Sequence, residues 1–241
     1  MPRLTRNSSG YAIRAGKNLL LMDCGMGTLH QFLRCGLDYF DIDAVMISHT
    51  HPDHVAELIA LLFALNYTPG RMRTRVLPIL GPPQFKNFLE SLYIPFPWIR
   101  PKPFFAVVRE APFRPITLES VVVESVPVQH GDTPAIGYRI KEGEKVLAYS
   151  GDSGDCPALV ELGKDADVLV LDCSVPSSRG ELPVHLNTLQ AGRTAEKARC
   201  KTLVLTHMYA VCDDTDIAGE ARREFTSGRI LKAEDGMKIT V

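Results

Sequence analysis

The sequence predicts an α/β protein in which short buried strands alternate with amphipathic helices through both halves of the chain. Three observations predict it. Unbroken apolar runs of strand length recur, such as Leu19-Leu20-Leu21-Met22 and Val168-Leu169-Val170-Leu171. Between such runs, apolar residues repeat at helical spacing, as in Val55, Leu58, Ile59, Leu62 and Leu65. Each half also delivers potential metal ligands at strand ends, such as His49, His130 and His207.

The 241 residues suffice for one large domain or two small ones, and a single domain over 1–241 is expected. A hydrophobic content of 45% and a charged content of 23% are ordinary for a globular chain. A formal net charge of −1 gives no general attraction to nucleic acid or to an anionic membrane. No early stretch has the pattern of a signal peptide, and no apolar run approaches bilayer length, so no membrane partner is expected. Cys24, Cys35, Cys156, Cys173, Cys200 and Cys212 are scattered without a C-x-x-C pair. They are expected to be free, mostly buried thiols of a protein from the reducing cytoplasm.

In chain order, Ser8-Ser9-Gly10 leads into an edge strand at 11–14, and a buried strand at 18–22 ends in Asp23-Cys24-Gly25-Met26-Gly27, whose glycines permit a tight turn. A helix is expected at 28–37 and a buried strand at 43–48. Pro52 suits the first turn of the helix that follows, where its missing N–H costs nothing. Pro69-Gly70 ends that helix. Arg71, Arg73 and Arg75 then form a basic cluster, expected as a solvated loop, with a contact to a substrate phosphate as the alternative. A strand at 76–80 and a helix through Phe85, Phe88, Leu89 and Leu92 come next. Residues 93–105, with Tyr93, Phe96, Trp98, Phe104 and Phe105 among four prolines, are too irregular for an element. They form a loop packed by its own aromatics, a flap over the site, or a dimer contact.

Strand-like stretches at 121–123 and 126–128 end at Gln129-His130-Gly131-Asp132. Strands follow at 134–140, 146–150 and 166–173, with Asp155 expected to cap or charge the start of the helix between the last two. A loop carrying Glu181 leads to His185, and Asn187 with Gln190 three residues on opens a helix through Ala198. A strand at 201–206 ends at His207, a helix runs through Ile217, Ala218, Ala221 and Phe225, and strands at 230–231 and 237–241 close the chain around Asp235-Gly236. The two halves show a coarse doubling.

The chain is organised around Ile47-Ser48-His49-Thr50-His51-Pro52-Asp53-His54, on a strand-to-helix turn. Neutral imidazoles and a carboxylate are ligands for zinc and similar divalent ions. His49 and His51 lie two apart on an extended segment, so their side chains leave on one side. Asp53 and His54 follow where the chain bends and reach a second point. A lone His-x-x-x-His pair would suggest one ion; this density suggests two side by side.

The stretch resembles the H-x-H-x-D-H signature of the metallo-β-lactamase superfamily, and further motifs follow in that family's order over residues 23–241. The resemblance implies a four-layer αββα sandwich, two mixed sheets with helices outside and the metals at one end of the sheets. It implies that His49, His51 and His130 hold one ion, that Asp53, His54 and His207 hold the other, and that Asp152 of Gly151-Asp152-Ser153-Gly154 bridges them. It makes Asp23 the residue that holds the histidine loop through a ligand imidazole, where otherwise it is a turn aspartate. The cofactors implied are two divalent ions, zinc first and manganese or iron(II) next. Ions about 3.5–4 Å apart share a water that ionises near neutral pH, with Asp53 able to orient it.

The resemblance also implies hydrolysis. The seven ligands look like the phosphodiesterase side of the superfamily, whereas true β-lactamases often use a cysteine ligand. His185 resembles a histidine of ribonuclease Z and of the bacterial cyclic phosphodiesterases of phosphonate breakdown, although Asn187 stands where they usually carry threonine. Such a histidine can protonate the leaving alkoxide or steady the transition state; the alternative is a helix-start histidine without a task. Ribonuclease Z grips tRNA with an arm inserted between the third histidine motif and the bridging aspartate, and here only 22 positions lie from His130 to Asp152. A small phosphodiester, cyclic ones included, is therefore the expected substrate, and long nucleic acid is not. The rivals are hydrolysis of an aryl sulfate ester or a lactone, ribonuclease Z-like RNA processing, and a non-catalytic binding module, which would predict lost ligands or a basic stripe. A homodimer is expected by analogy with relatives.

Overall fold

In the computed structural model, which describes residues 3–241, each half of the chain builds its own mixed sheet. Two compact units result, one running to Ala111 and the other Pro112–Val241. In the first, β1 (Tyr11–Ala15), β2 (Asn18–Met22), β3 (Ala44–Met46), β4 (Leu77–Gly81) and β5 (Ala106–Glu110) pair in that order. β1 is antiparallel to β2 and the remaining steps are parallel. Every residue of β2 and β3 is buried, because a parallel strand covered on both faces has no polar side to show. Four helices accompany the sheet: α1 (Thr28–Arg34), α2 (Pro52–Val55), α3 (Leu58–Tyr67) and α4 (Phe85–Leu92). Phe32 of α1, Leu58, Leu61, Leu62 and Leu65 of α3 and Phe85 of α4 share one core with Leu19, Leu21, Val45, Ile47, Leu77 and Ile79. Those strand residues lie two apart and so share one sheet face.

The second unit holds seven strands: β6 (Ile116–Leu118), β7 (Val121–Val128), β8 (Ala135–Glu142), β9 (Lys145–Tyr149), β10 (Val168–Asp172), β11 (Thr202–Thr206) and β12 (Arg229–Lys232). Their spatial order is β12-β11-β10-β9-β8-β7-β6, parallel from β12 to β9 and antiparallel from there to β6. Residues from α5 (Pro157–Gly163), α6 (Thr188–Ala198) and α7 (Ile217–Ala221) pack with Ala148, Leu169, Leu171, Leu203 and Leu205. α6 opens on a reciprocal cap. The Asn187 side chain accepts from Gln190 N–H at 3.0 Å, and Gln190 Oε1 accepts from Asn187 N–H at 3.0 Å.

The doubling is structural. The path β1–β5, one antiparallel step and three parallel ones, recurs as β8–β12. It extends to side chains. Asp43 before β3 accepts Leu19 N–H at 2.7 Å, and Asp167 before β10 accepts Val146 N–H at 2.9 Å.

Departures from the sequence-based expectations have local causes. The motif helix is broken into α2 and α3, because Glu57 N–H bonds Cys24 O at 2.9 Å while its carboxylate accepts Gly27 N–H and Leu29 N–H at 2.7 Å each. α1 stops at Arg34, ahead of Gly36 at φ +73°. Asp155 does not cap α5, whose N-cap is Cys156. Residues 237–241 form no strand; they lie at the exposed end of the chain and pair with no strand of either sheet. β5 and β6 carry no sequence signal, because these half-exposed strands lack clean alternation. Residues 93–105 pack on the first unit, with Asn66 of α3 donating to Trp98 O and Arg100 O at 2.9 Å each and with Ile99 and Phe104 in the core. All six cysteines are free, and no helix among the described residues is long and apolar enough to cross a membrane.

The basic cluster divides. Arg71 pairs with Asp38 over the Phe40 ring, and Arg75 pairs with Asp43. Arg73, expected in a solvated loop, is 2% exposed and donates to the carbonyls of Phe40, Ile42, Arg75 and Val76 at 2.8–3.2 Å. Burial, with the charge of Arg75 beside it, holds its pKa down to about 10. Removing a guanidinium that satisfies buried carbonyls costs about 2–4 kcal/mol, against at most about 1 for an exposed pair. Urea denaturation should therefore show Arg73→Ala losing several times more stability than Arg71→Ala; equal losses would mean the buried bonds add nothing.

Candidate metal centre

The first unit supplies four donors from one turn. Ile47 N–H continues the ladder to Leu80 O at 2.8 Å, after which the chain leaves the sheet. His51 is the extended N-cap of α2, with Pro52 in the first turn. His49 and His54 are fully buried, Asp53 is partly buried and His51 is exposed. His49 Nε2 faces His51 Nδ1 at 3.1 Å, and His54 Nε2 lies 4.0 Å from Asp53 Oδ2.

Asp23 decides which nitrogens do the facing. It is 0% exposed, sits just past β2 at φ +57°, and its N–H bonds Met46 O at 2.8 Å. Its Oδ1 accepts Ser48 N–H at 2.7 Å, and its Oδ2 accepts the Ser48 hydroxyl at 2.8 Å and His54 Nδ1–H at 2.7 Å. A carboxylate only accepts, so His54 carries its proton on Nδ1 and its lone pair on Nε2. The one proton of Ser48 goes to Asp23, so its oxygen accepts from His49 Nδ1 at 3.1 Å, which leaves His49 the same tautomer. Gly25 lets this turn close. A Cβ there would lie 1.9 Å from Asp53 O.

The second unit repeats the device. His130, two residues past β7, is 5% exposed and donates from Nδ1 to Val184 O at 3.0 Å. His207, just past β11, has φ +56° and places Nδ1 2.9 Å from Ser174 Oγ. Ser174 donates its proton to Asp172 Oδ1 at 2.8 Å, so His207 also keeps its lone pair on Nε2. Asp172, 0% exposed, takes His185 Nδ1–H at 2.7 Å and Ser153 N–H at 3.1 Å on Oδ2. His185 Nε2 lies 2.8 Å from the Tyr209 hydroxyl oxygen, within hydrogen-bond distance. Asp152 follows Gly151 at φ +61°, and its Oδ2 lies 3.0 Å from His207 Nε2 and 4.0 Å from His130 Nε2.

These donors fit a divalent cation. His207 Nε2 and Asp152 Oδ2 face each other at 3.0 Å, so a neutral imidazole and the carboxylate present two donor atoms to one cation. The nitrogen and oxygen donor set suits zinc and its neighbours. One donor atom each of Asp152, His185 and His207 lies within 4.8 Å of the others. His185 is nonetheless no ligand here, since Asp172 and Tyr209 occupy both of its nitrogens, and its ring stacks on that of His207 at 5.0 Å. The structure thus gathers Asp23, His49, His51, Asp53 and His54 in one unit and His130, Asp152, His185 and His207 in the other. Sequence reasoning passes over Ser48, Asp172, Ser174 and Tyr209. The signal for Asp172 is a carboxylate ending a wholly apolar strand; Tyr209 has none beyond its nearness to His207.

Comparison with known proteins agrees with this geometry. Residues 18–208 match the model of the β-lactamase superfamily domain. A ribonuclease Z of Myxococcus xanthus is 30% identical over 294 residues, covering 99% of this chain and 93% of that protein. The probable metallo-hydrolase YhfI of Bacillus subtilis is 28% identical over 238 residues, covering 98% and 93%. The crystal structure of YhfI, described as a metallo-β-lactamase fold protein, superposes with a TM-score of 0.84 over 98% of this chain and 93% of that one. A diphosphatase from the PhnP family superposes with a TM-score of 0.75 at 24% identity, over 97% and 84%, which speaks for the fold alone. Two mixed sheets with helices, a family match over most of its length and paired histidine–aspartate sets make the chain a member of the metallo-β-lactamase superfamily of hydrolases.

Proposed function

We propose that the two donor sets act on one pair of divalent ions, zinc in first place, and that the protein hydrolyses small phosphodiesters, cyclic ones included. His49, His51 and His130 would hold one ion and Asp53, His54 and His207 the other, with Asp152 as the shared ligand, within one functional domain over 1–241. Such ions, when bound, would supply Lewis acidity and lower the pKa of a water. The chain's own groups do the rest. Asp23 and Asp172 hold imidazoles in the ligating tautomer, and Asp53 orients the attacking water. His185 manages the proton at the departing oxygen.

The observation that carries this reading is the Asp172–His185 pair. A buried carboxylate fixes an imidazole that ligates nothing yet stacks on a ligand. An alkyl phosphodiester expels a basic alkoxide and needs an acid, worth about 10²–10⁴ in rate. An aryl sulfate expels a weakly basic phenoxide and needs none. RNA processing in the manner of the ribonuclease Z relative is less well supported. That alignment spans 294 residues against the 241 of this chain, and the YhfI alignment only 238. β8 and β9 are joined by Gly143-Glu144 alone, so no arm lies between them, and the net charge of −1 does not attract a polyanion. Free thiols suit a reducing cytoplasm. Ile94 and Trp98, 82% and 56% exposed, offer apolar surface to a second copy.

Bis-p-nitrophenyl phosphate should be hydrolysed by the zinc-loaded protein and p-nitrophenyl sulfate should not; the reverse preference would end the phosphodiesterase reading. Asp152→Ala should lower metal content and abolish turnover, whereas full activity with two ions retained would refute a bridging carboxylate. His185→Ala should retain both ions yet slow alkyl diesters by about 10²–10⁴, with a smaller loss on nitrophenyl esters. An unchanged rate on both would make His185 a structural residue.

A further inference from the structure

The helix that opens at Pro52 gives up its own hydrogen bonds at the turn carrying Asp53 and His54. In an unbroken α-helix Glu57 N–H would bond Asp53 O, and Leu58 N–H would bond His54 O. Here Asp53 O accepts Ser9 N–H at 3.2 Å, His54 O accepts Cys24 N–H at 2.7 Å, and Glu57 N–H goes to Cys24 O at 2.9 Å. The freed groups stitch the turn to segments far earlier in the chain. The Glu57 side chain completes the stitch. Its Oε1 accepts Gly27 N–H and its Oε2 accepts Leu29 N–H, at 2.7 Å each, across 30 and 28 residues. These N–H groups open α1, whose N-cap Gly27 has no side chain and whose first turn holds no acid. A local cap would come from the start of α1 itself. This carboxylate comes from the residue three past His54, so it ties two elements together rather than finishing one.

What the tie keeps in place is Asp23. It stands next to Cys24 in the clamped segment, and its Oδ2 takes His54 Nδ1–H at 2.7 Å, the bond that leaves Nε2 of His54 as the donor atom. The bonds close a ring, from His54 to Asp23, along the chain to Gly27, across to Glu57 and back along the chain to His54. Opening the ring at Glu57 lets residues 24–29 move off the turn, and the His54 imidazole loses its fixed bearing. Resting on the reading that Asp53 and His54 are ligands, we propose that Glu57 is a positioning residue of the metal centre, whose bonds to Gly27 and Leu29 clamp the Asp23 segment onto the ligand turn and thereby set zinc affinity. It acts through Asp23 and His54 and not as a ligand, since N–H groups take both of its oxygens. Groups that orient a ligand imidazole are worth about ten- to a hundredfold in metal affinity.

Zinc affinity, measured by competition with a chromogenic chelator, tests this without reference to turnover. Glu57→Gln keeps the length and volume of the side chain but sets an NH2 opposite one of the two N–H groups, and Glu57→Ala removes both acceptors. Asp43→Asn is the control. Asp43 also accepts a distant backbone N–H, that of Leu19 at 2.7 Å, but it stands at the other end of β3 from His49. Zinc binding should weaken about ten- to a hundredfold in Glu57→Gln and at least as much in Glu57→Ala. In Asp43→Asn it should stay within about threefold. The visible bands of the cobalt(II)-loaded protein, which report how the ligands are arranged, should change in both Glu57 variants and not in the control. Unchanged zinc affinity and cobalt bands in the Glu57 variants, or an equal loss in Asp43→Asn, overturn the proposal. An unaltered protein that takes up no zinc would sink the metal reading and the proposal with it. Zinc uptake without hydrolysis of bis-p-nitrophenyl phosphate would sink the phosphodiesterase reading alone, and the comparison of variants would still decide the role of Glu57.

Discussion

A buried carboxylate that can only accept hydrogen bonds dictates where its neighbours keep their protons, and each unit's donor set depends on one. Asp23 fixes His54 directly and His49 through Ser48; Asp172 fixes His185 directly and His207 through Ser174. Each carboxylate, bonded to protein donors on both oxygens, fixes which ring nitrogen of its histidines carries the proton, and so aims Nε2 of His49, His54 and His207. That orientation is what a cation needs, and neither strand geometry nor histidine spacing supplies it. The two serines hold corresponding places in the doubled topology, after β3 and after β10, so the same relay has been built twice on the same strand pattern.

The backbone is bent to suit. Asp23 and His207 both occupy the left-handed region, at φ +57° and +56°, where residues other than glycine are uncommon. Each lies at the step where a parallel strand gives way to a loop. The parallel sheets pin the chain up to that point, and the turn then aims one side chain. Gly25 and Gly151 take the conformations or close approaches that a side chain would obstruct.

Much of this is legible in the sequence, and the limits have physical causes. β2 reads residue by residue because a strand buried on both faces is apolar at every position. α6 reads equally well because Asn187 and Gln190 announce its start. The four donors of the first unit are legible from type and spacing alone. His130, Asp152 and His207 are single residues at strand ends, and only the family pattern picks them out. Asp172 escapes because a carboxylate closing a strand looks like an ordinary polar terminator; its role lies in partners 2 and 13 residues away. Arg73 misleads because an arginine among arginines looks solvated, whereas four carbonyls around Phe40 and Val76 require a buried donor. β5 and the irregular end of the chain show the converse, since edge segments take their state from what they pack on.

The central claim is that donors from both units serve the same ions. Anomalous diffraction at the zinc edge, from crystals grown with zinc, tests it most directly. The account predicts two peaks per chain, each within about 2.0–2.2 Å of histidine nitrogens or aspartate oxygens from both units, with Asp152 touching both. Peaks ligated by one unit alone, or none near His49, His54 and His207, would contradict it.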